Sequence, residues 1–125
     1  MIGTGTFRYF SLTVVALAAM TTPSLAYTAY VSNEKGNSIS VVDTDTLKTI
    51  ATIKTGERPR GIEVSRDGQF VFVATGDDNT IQIIDTATRK IVGELPSGAD
   101  PEQFALDPAG KFLYVANEED RKSVV

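Results

Sequence analysis

The sequence has no cysteine and no histidine among its 125 residues. Without thiols there is no disulfide framework and no attachment point for a lipoprotein anchor. Without either residue type there is no thiolate or imidazole metal site, no haem held by histidine and no triad with histidine as its base. A glycine-rich loop of the phosphate-binding kind is also missing. The longest apolar stretch, residues 9–20, falls short of the roughly 20 residues that cross a bilayer. Cationic surface is scarce: 12 Lys and Arg face 16 Asp and Glu, a formal net charge of −4. That balance argues against nucleic acid or anionic lipid as partners.

What is there begins with a leader. Arg8 precedes the apolar run, and the small-residue site Ser24-Leu25-Ala26 follows Pro23. This is the layout of a secretory signal peptide, with cleavage expected after Ala26 and a periplasmic destination for the mature chain. An uncleaved membrane anchor is the alternative, weakened by the shortness of the run.

Beyond residue 26 the chain repeats itself at an offset of 42 residues. Asp43 returns as Asp85, Thr44 as Thr86, Thr46 as Thr88, Gly56 as Gly98, Pro59 as Pro101, Gly68 as Gly110 and Phe70 as Phe112. The apolar positions keep step: Ile39 with Ile81, Ile53 with Leu95, Ile62 with Phe104, Val73 with Val115. A fixed period of about 40 residues with several short strand signals per unit is the signature of a β-propeller blade. Residues 60–101 predict one complete blade of four antiparallel strands, at 60–65, 69–75, 80–85 and 90–95. Residues 27–59 predict a blade lacking its first, innermost strand, with strands at 28–33, 38–43 and 48–54. Residues 102–120 predict the first two strands of a third, at 102–107 and 111–117. The expected fold is therefore all-β, about two and a half blades of a ring. Stacked repeats bury their faces against neighbours, so the isolated 27–125 polypeptide is expected to be aggregation-prone or partly unfolded.

Specific segments resemble a known family. Tyr30-Val31-Ser32-Asn33, Phe72-Val73-Ala74-Thr75 and Tyr114-Val115-Ala116-Asn117 look like successive copies of the YVTN motif. Ser65-Arg66-Asp67-Gly68-Gln69 and Asp107-Pro108-Ala109-Gly110-Lys111 resemble that family's SPDGK turn, and Ile84-Asp85-Thr86-Ala87-Thr88 its IDTAT element. The likeness covers residues 28 to about 120 and implies a seven-bladed ring. It is nearest to the periplasmic YVTN propellers associated with pyrroloquinoline-quinone-dependent catabolism. Lactonase-like propellers and the haem-d1 propeller of nitrite reductase are similar at greater distance. Register fails after Asp120: position 123 should be apolar like Ile39 and Ile81 but is Ser123. The string DRKSVV resembles one reading frame of a sequencing adapter, so residues 121–125 read as a non-native tail, the alternative being a strand with an off-pattern start.

The residues that recur most faithfully read as architecture. Asp43 and Asp85 precede Thr-rich turns whose N–H groups a carboxylate can accept, and the shared position of Tyr30, Phe72 and Tyr114 is expected between blades. Chemistry is expected where the repeat varies, in loops around the central channel. The loops leading into each blade carry Glu57, Arg58 and Arg60, then Asp100 and Glu102. Arg60 and Glu102 share one register position, so one blade offers a cation where the next offers a carboxylate. Arg58, Arg60, Asp100 and Glu102 form the candidate ligand- or partner-binding set; no catalytic residue, metal site or cofactor is assigned. A second loop group, Glu34, Lys35, Asp77, Asp78, Glu118, Glu119 and Asp120, lacks calcium-loop spacing and reads as solvated turns. The resemblance implies an exported, non-enzymatic scaffold that binds a periplasmic partner or small ligand, accessory to quinoprotein alcohol oxidation. The rival is a lactonase-like hydrolase using polar residues at the channel mouth.

Overall fold

The computed structural model describes residues 27–118 and 123–124. The expected leader at 1–26, and residues 119–122 and 125 of the expected tail, lie outside the described residues.

Three antiparallel sheets follow one another along the chain. The first contains β1 (Thr28–Asn33), β2 (Ser38–Asp43) and β3 (Lys48–Lys54), with a single 3-10 turn at Glu34–Gly36 between β1 and β2. The second contains β4 (Pro59–Val64), β5 (Phe70–Thr75), β6 (Thr80–Asp85) and β7 (Lys90–Pro96) in sequential order. The third contains β8 (Pro101–Leu106), β9 (Leu113–Asn117) and the two-residue β10 (Ser123–Val124). These are the blades of a β-propeller: a sheet without its inner strand, a complete four-stranded sheet, and a third sheet. In β10, Ser123 lies opposite Ala116, as Ile81 lies opposite Ala74 one blade earlier.

Strand composition explains the sheets. β5 and β6 are rich in Val, Ile and Phe, whose branched or planar side chains fit a pleated surface buried on both sides. The turns are set by short side chains. Asp43 Oδ1 accepts the Thr46 N–H at 2.7 Å and the Thr46 hydroxyl at 2.9 Å. Asp85 repeats this with Thr88 at 2.7 and 2.8 Å. Gly68 and Gly110, at φ 72° and 67°, occupy the left-handed region in the turns before β5 and β9. Several boundaries move from expectation by one or two residues, and at β5 and β9 the turn supplies the reason. Gln69 donates its N–H to Asp67 Oδ1 within the turn, so β5 starts at Phe70. Asp107 accepts the N–H groups of Lys111 and Phe112, and β9 starts at Leu113. The first strand of each later blade begins on Pro59 or Pro101, where a missing N–H costs no ladder bond.

The core lies between sheets. Ile39, Val41 and Ile53 of the first blade pack with Val71, Val73 and Ile84 of the second, flanked by Tyr30, Ala51 and Ile62. The next interface repeats it one unit on: Ala74 and Ile81 with Val115, flanked by Phe72, Phe104 and Leu113. Each fully buried Val or Ile contributes roughly 1.5–3 kcal/mol. Side-chain bonds to backbone also cross these interfaces, among them Ser32 Oγ to Arg60 O at 2.8 Å and Leu106 N–H to Glu63 Oε2 at 3.0 Å.

The inner strands β4 and β8 meet at Gly61, where an added Cβ would fall 2.7 Å from the Glu102 carbonyl oxygen. Gly61→Ala is therefore expected to lower stability by about 1–3 kcal/mol, because backbone cannot yield as a side chain can. Chemical denaturation checks it, and an unchanged midpoint would place the strands farther apart than described. Acid supplies a second test. Hydrogen bonds from Thr46, Ser65, Thr88 and Phe112 respectively hold Asp43, Asp67, Asp85 and Asp107 below the ordinary carboxylate value of 3.8. The unfolded chain takes up these protons first as pH falls, so their contribution is complete above 3.8 and is lost progressively below it. Carboxyl carbon shifts in NMR should titrate below that value at all four positions; titration at or above it would contradict the turn geometry.

Candidate functional site

The loops that enter β4 and β8 are fixed by backbone before any side chain acts. Arg58 and Asp100, one repeat apart, both take positive φ, 53° and 51°. Asn37 and Asn79, also left-handed, hold them: Arg58 N–H donates to Asn37 Oδ1 at 3.1 Å and Asp100 N–H to Asn79 Oδ1 at 2.9 Å. Their carbonyls accept from the second-strand ends, Arg58 O from Gly76 N–H at 3.0 Å and Asp100 O from Glu118 N–H at 2.9 Å. Within each unit, then, the loop before the first strand is tied to the loop between the second and third strands. The two loop groups of the sequence reading therefore meet at one end of the blades.

Side chains complete a charged cluster spanning all three blades. Arg58 Nη1 donates to Asp77 Oδ1 at 2.7 Å, with Glu34 and Asp100 each at 3.6 Å. Arg60 donates to Glu118 Oε2 at 2.7 Å and Glu102 Oε1 at 2.9 Å, with Glu34 and Asp100 each at 3.7 Å. All four candidate residues come together. Glu34, Asp77 and Glu118, read from sequence as solvated turns, join them. The missed signal was register: Glu34, Gly76 and Glu118 occupy one repeat position, beside the loops that carry the arginines. At that position Gly76 leaves room for Asp100, whose Oδ1 lies 2.6 Å from where a Cβ would stand.

Asp100 is the centre of the cluster, its side chain 13% exposed and placed between both guanidinium groups. Its Oδ1 is buried without a hydrogen-bond partner. The hydrogen bond that Arg58 donates to Asp77 raises Arg58, the one that Arg60 donates to Glu118 raises Arg60, and the Arg60 guanidinium holds Glu118 below the usual carboxylate range. Two polar cavities flank Arg58. One of about 270 Å³ is lined by Arg58, Gly76, Asp77, Asn79, Ala99 and Asp100, and one of about 450 Å³ by Glu34, Lys35, Asn37, Glu57, Arg58 and Asp77. Among the described residues no group of three or more acidic side chains is arranged to hold a metal ion.

Successive antiparallel sheets with a non-repeating polar cluster at one end define the β-propeller class. The chain belongs to the lactonase family of seven-bladed β-propellers, which its residues 26–125 match. No curated protein matches it in sequence. Among solved structures it is similar to the hydrazine synthase of Kuenenia stuttgartiensis, at 27% identity and TM-score 0.71 over 74% of this chain. It is also similar to the dihydro-heme d1 dehydrogenase NirN, at 24% identity and TM-score 0.62 over 70% of this chain. A functionally unknown protein of Desulfotomaculum acetoxidans DSM 771 matches at 24% identity and TM-score 0.61, again over 70% of this chain. The chain spans 26%, 19% and 30% of those three proteins' lengths.

Two of the three ion pairs of Arg58 reach exposed side chains, at Glu34 and Asp77, a setting in which such pairs add little to stability. Arg58→Ala is expected to leave the denaturation midpoint nearly unchanged. A large loss would make the cluster a structural clamp.

Proposed function

We propose that this chain contributes blades to an exported ring that binds a protein partner or small polar ligand at its channel mouth, without catalysis. The observation that carries the reading is the state of the two arginines. Each is already hydrogen-bonded to a carboxylate, Arg58 to Asp77 and Arg60 to Glu118 and Glu102, on loops pinned by Asn37 and Asn79. A guanidinium so occupied has little capacity to polarise a carbonyl. Glu118, held ionised by the Arg60 guanidinium, is a poor proton donor. A pre-ordered polar surface suits recognition, since little entropy remains to be lost on binding. The quinoprotein setting, with the ring accessory to alcohol oxidation in the periplasm, is supported by the three YVTN-like segments and the leader-like residues 1–26.

A second reading is favoured by the family: hydrolysis of a sugar lactone at the same mouth. It requires a general base and an oxyanion-stabilising group from elsewhere in the ring. The two readings part in one experiment on protein carrying all seven blades. Lactone hydrolysis is assayed beside capture of partners from periplasmic extract, for the wild type and for Arg60→Ala and Glu102→Ala. The binding reading expects no turnover, and capture that both substitutions weaken about tenfold or more. Turnover abolished by either substitution would establish the hydrolase instead, and capture indifferent to both would remove these residues from the site.

A further inference from the structure

At the end of the blades opposite the charged cluster, a groove runs between the second and third blades. Its rims are the β4–β5 turn, residues 65–69, and the β8–β9 turn, residues 107–112. Two cavities of about 400 and 350 Å³ make it up, and they share Arg66, Leu106, Pro108 and Gly110. Phe70, Phe72 and Ala109 add apolar wall to the larger one. The walls belong to strands that already face each other: Phe72 of the second blade packs beside Phe104 and Leu113 of the third. β10 pairs with β9 on the side away from β8, so strands added there extend the third sheet away from this cleft.

We propose that this groove binds a small carboxylate with an apolar tail, the tail between Phe70 and Leu106 and the carboxylate against Arg66. The polar groups of the groove decide the sign of the ligand. Glu63 Oε2 accepts the Leu106 N–H at 3.0 Å. Asp67 Oδ1 accepts the Ser65 hydroxyl at 2.6 Å and the Gln69 N–H at 3.0 Å. Asp107 Oδ1 accepts the N–H groups of Lys111 and Phe112. These three carboxylates are taken up by donors of the fold. Arg66, in contrast, has no hydrogen bond or ion pair with any described residue. Its guanidinium donors stay free for an incoming anion, and their fork matches the paired oxygens of a carboxylate. Arg66 is also a departure from the repeat, standing where the next blade has Pro108. Apolar and aromatic walls with a few convergent polar groups, at this volume, are the usual form of a small-molecule site.

Isothermal titration calorimetry with 4-phenylbutanoate, on protein carrying all seven blades, tests this. Saturable binding is expected, with Kd on the order of 0.1–1 mM for a ligand of this size. Three further probes separate the contributions: acetate lacks the tail, 4-phenylbutan-1-ol lacks the charge, and 4-phenylbutylamine reverses it. Each should bind about tenfold more weakly or worse. Arg66→Gln should weaken phenylbutanoate by about tenfold or more, and Ala109→Trp, which fills the groove from an exposed turn position, should abolish binding. Arg89→Gln removes an exposed cation from a turn outside the groove and should leave binding unchanged. Circular dichroism on each variant reports folding; should Ala109→Trp lose its sheet signal, Arg66→Gln, at an exposed residue, carries the test alone. Phenylbutanoate that does not bind, binds equally to Arg66→Gln, or is matched by the alcohol, the amine or acetate would each overturn the proposal.

Discussion

A blade of this protein cannot keep both faces dry alone. Its strands are apolar on two sides, and water leaves a face when the neighbouring sheet arrives. The repeat positions show the dependence directly. Ile53 is 6% exposed where the second blade covers it, while Leu95, its equivalent one unit on, is 38% exposed. Val73 is sealed and Val31 half open for the same reason. Identical positions with similar side chains differ in burial because their neighbours differ, so stability here belongs to interfaces between units more than to units themselves.

That dependence also governs the charged cluster. The cross-blade packing brings β4 against β8 closely enough that Gly61 has no space for a side chain. At that separation Arg60 reaches Glu102 and Glu118 of the following blade while Glu34 approaches from the preceding one. No single blade contains the cluster, and a change in blade spacing would dissolve it without altering any of its residues. The backbone contribution is equally repetitive: left-handed Asn37 and Asn79 clamp the left-handed residues 58 and 100. A rigid, repeated backbone thus presents non-repeated side chains, an arrangement that lets binding chemistry vary while the fold stays constant.

Much of the fold was legible in the sequence because the repeat is literal. Strand positions, the glycine turns and the aspartate turns follow from residues that recur at one offset, and the structure places them within a residue or two. The cluster was half legible. Arg58, Arg60, Asp100 and Glu102 stand out as variable positions in an otherwise regular pattern. Glu34, Asp77 and Glu118 do not, since an acidic residue in a turn is the commonest of surface features. What joins them is a tertiary fact: the Gly76 N–H bond to Arg58 O, and its repeat from Glu118 to Asp100, fold one loop group onto the other. Such a bond leaves no trace in composition. Asp100 likewise shows its importance only through its burial between two guanidinium groups.

The same logic extends to Asn117, a buried polar side chain of the third blade. Asn117 is 5% exposed, and neither its Nδ2 nor its Oδ1 has a partner. Its equivalents are satisfied from the adjoining third strand: Asn33 donates to the hydroxyls of Ser38 and Ser40, and Thr75 bonds to Thr80. A buried amide left unpaired costs on the order of 1–3 kcal/mol, so the bonds that Asn33 and Thr75 make to their third strands belong to what the repeat carries from blade to blade. Register fidelity in a propeller therefore extends past its apolar positions.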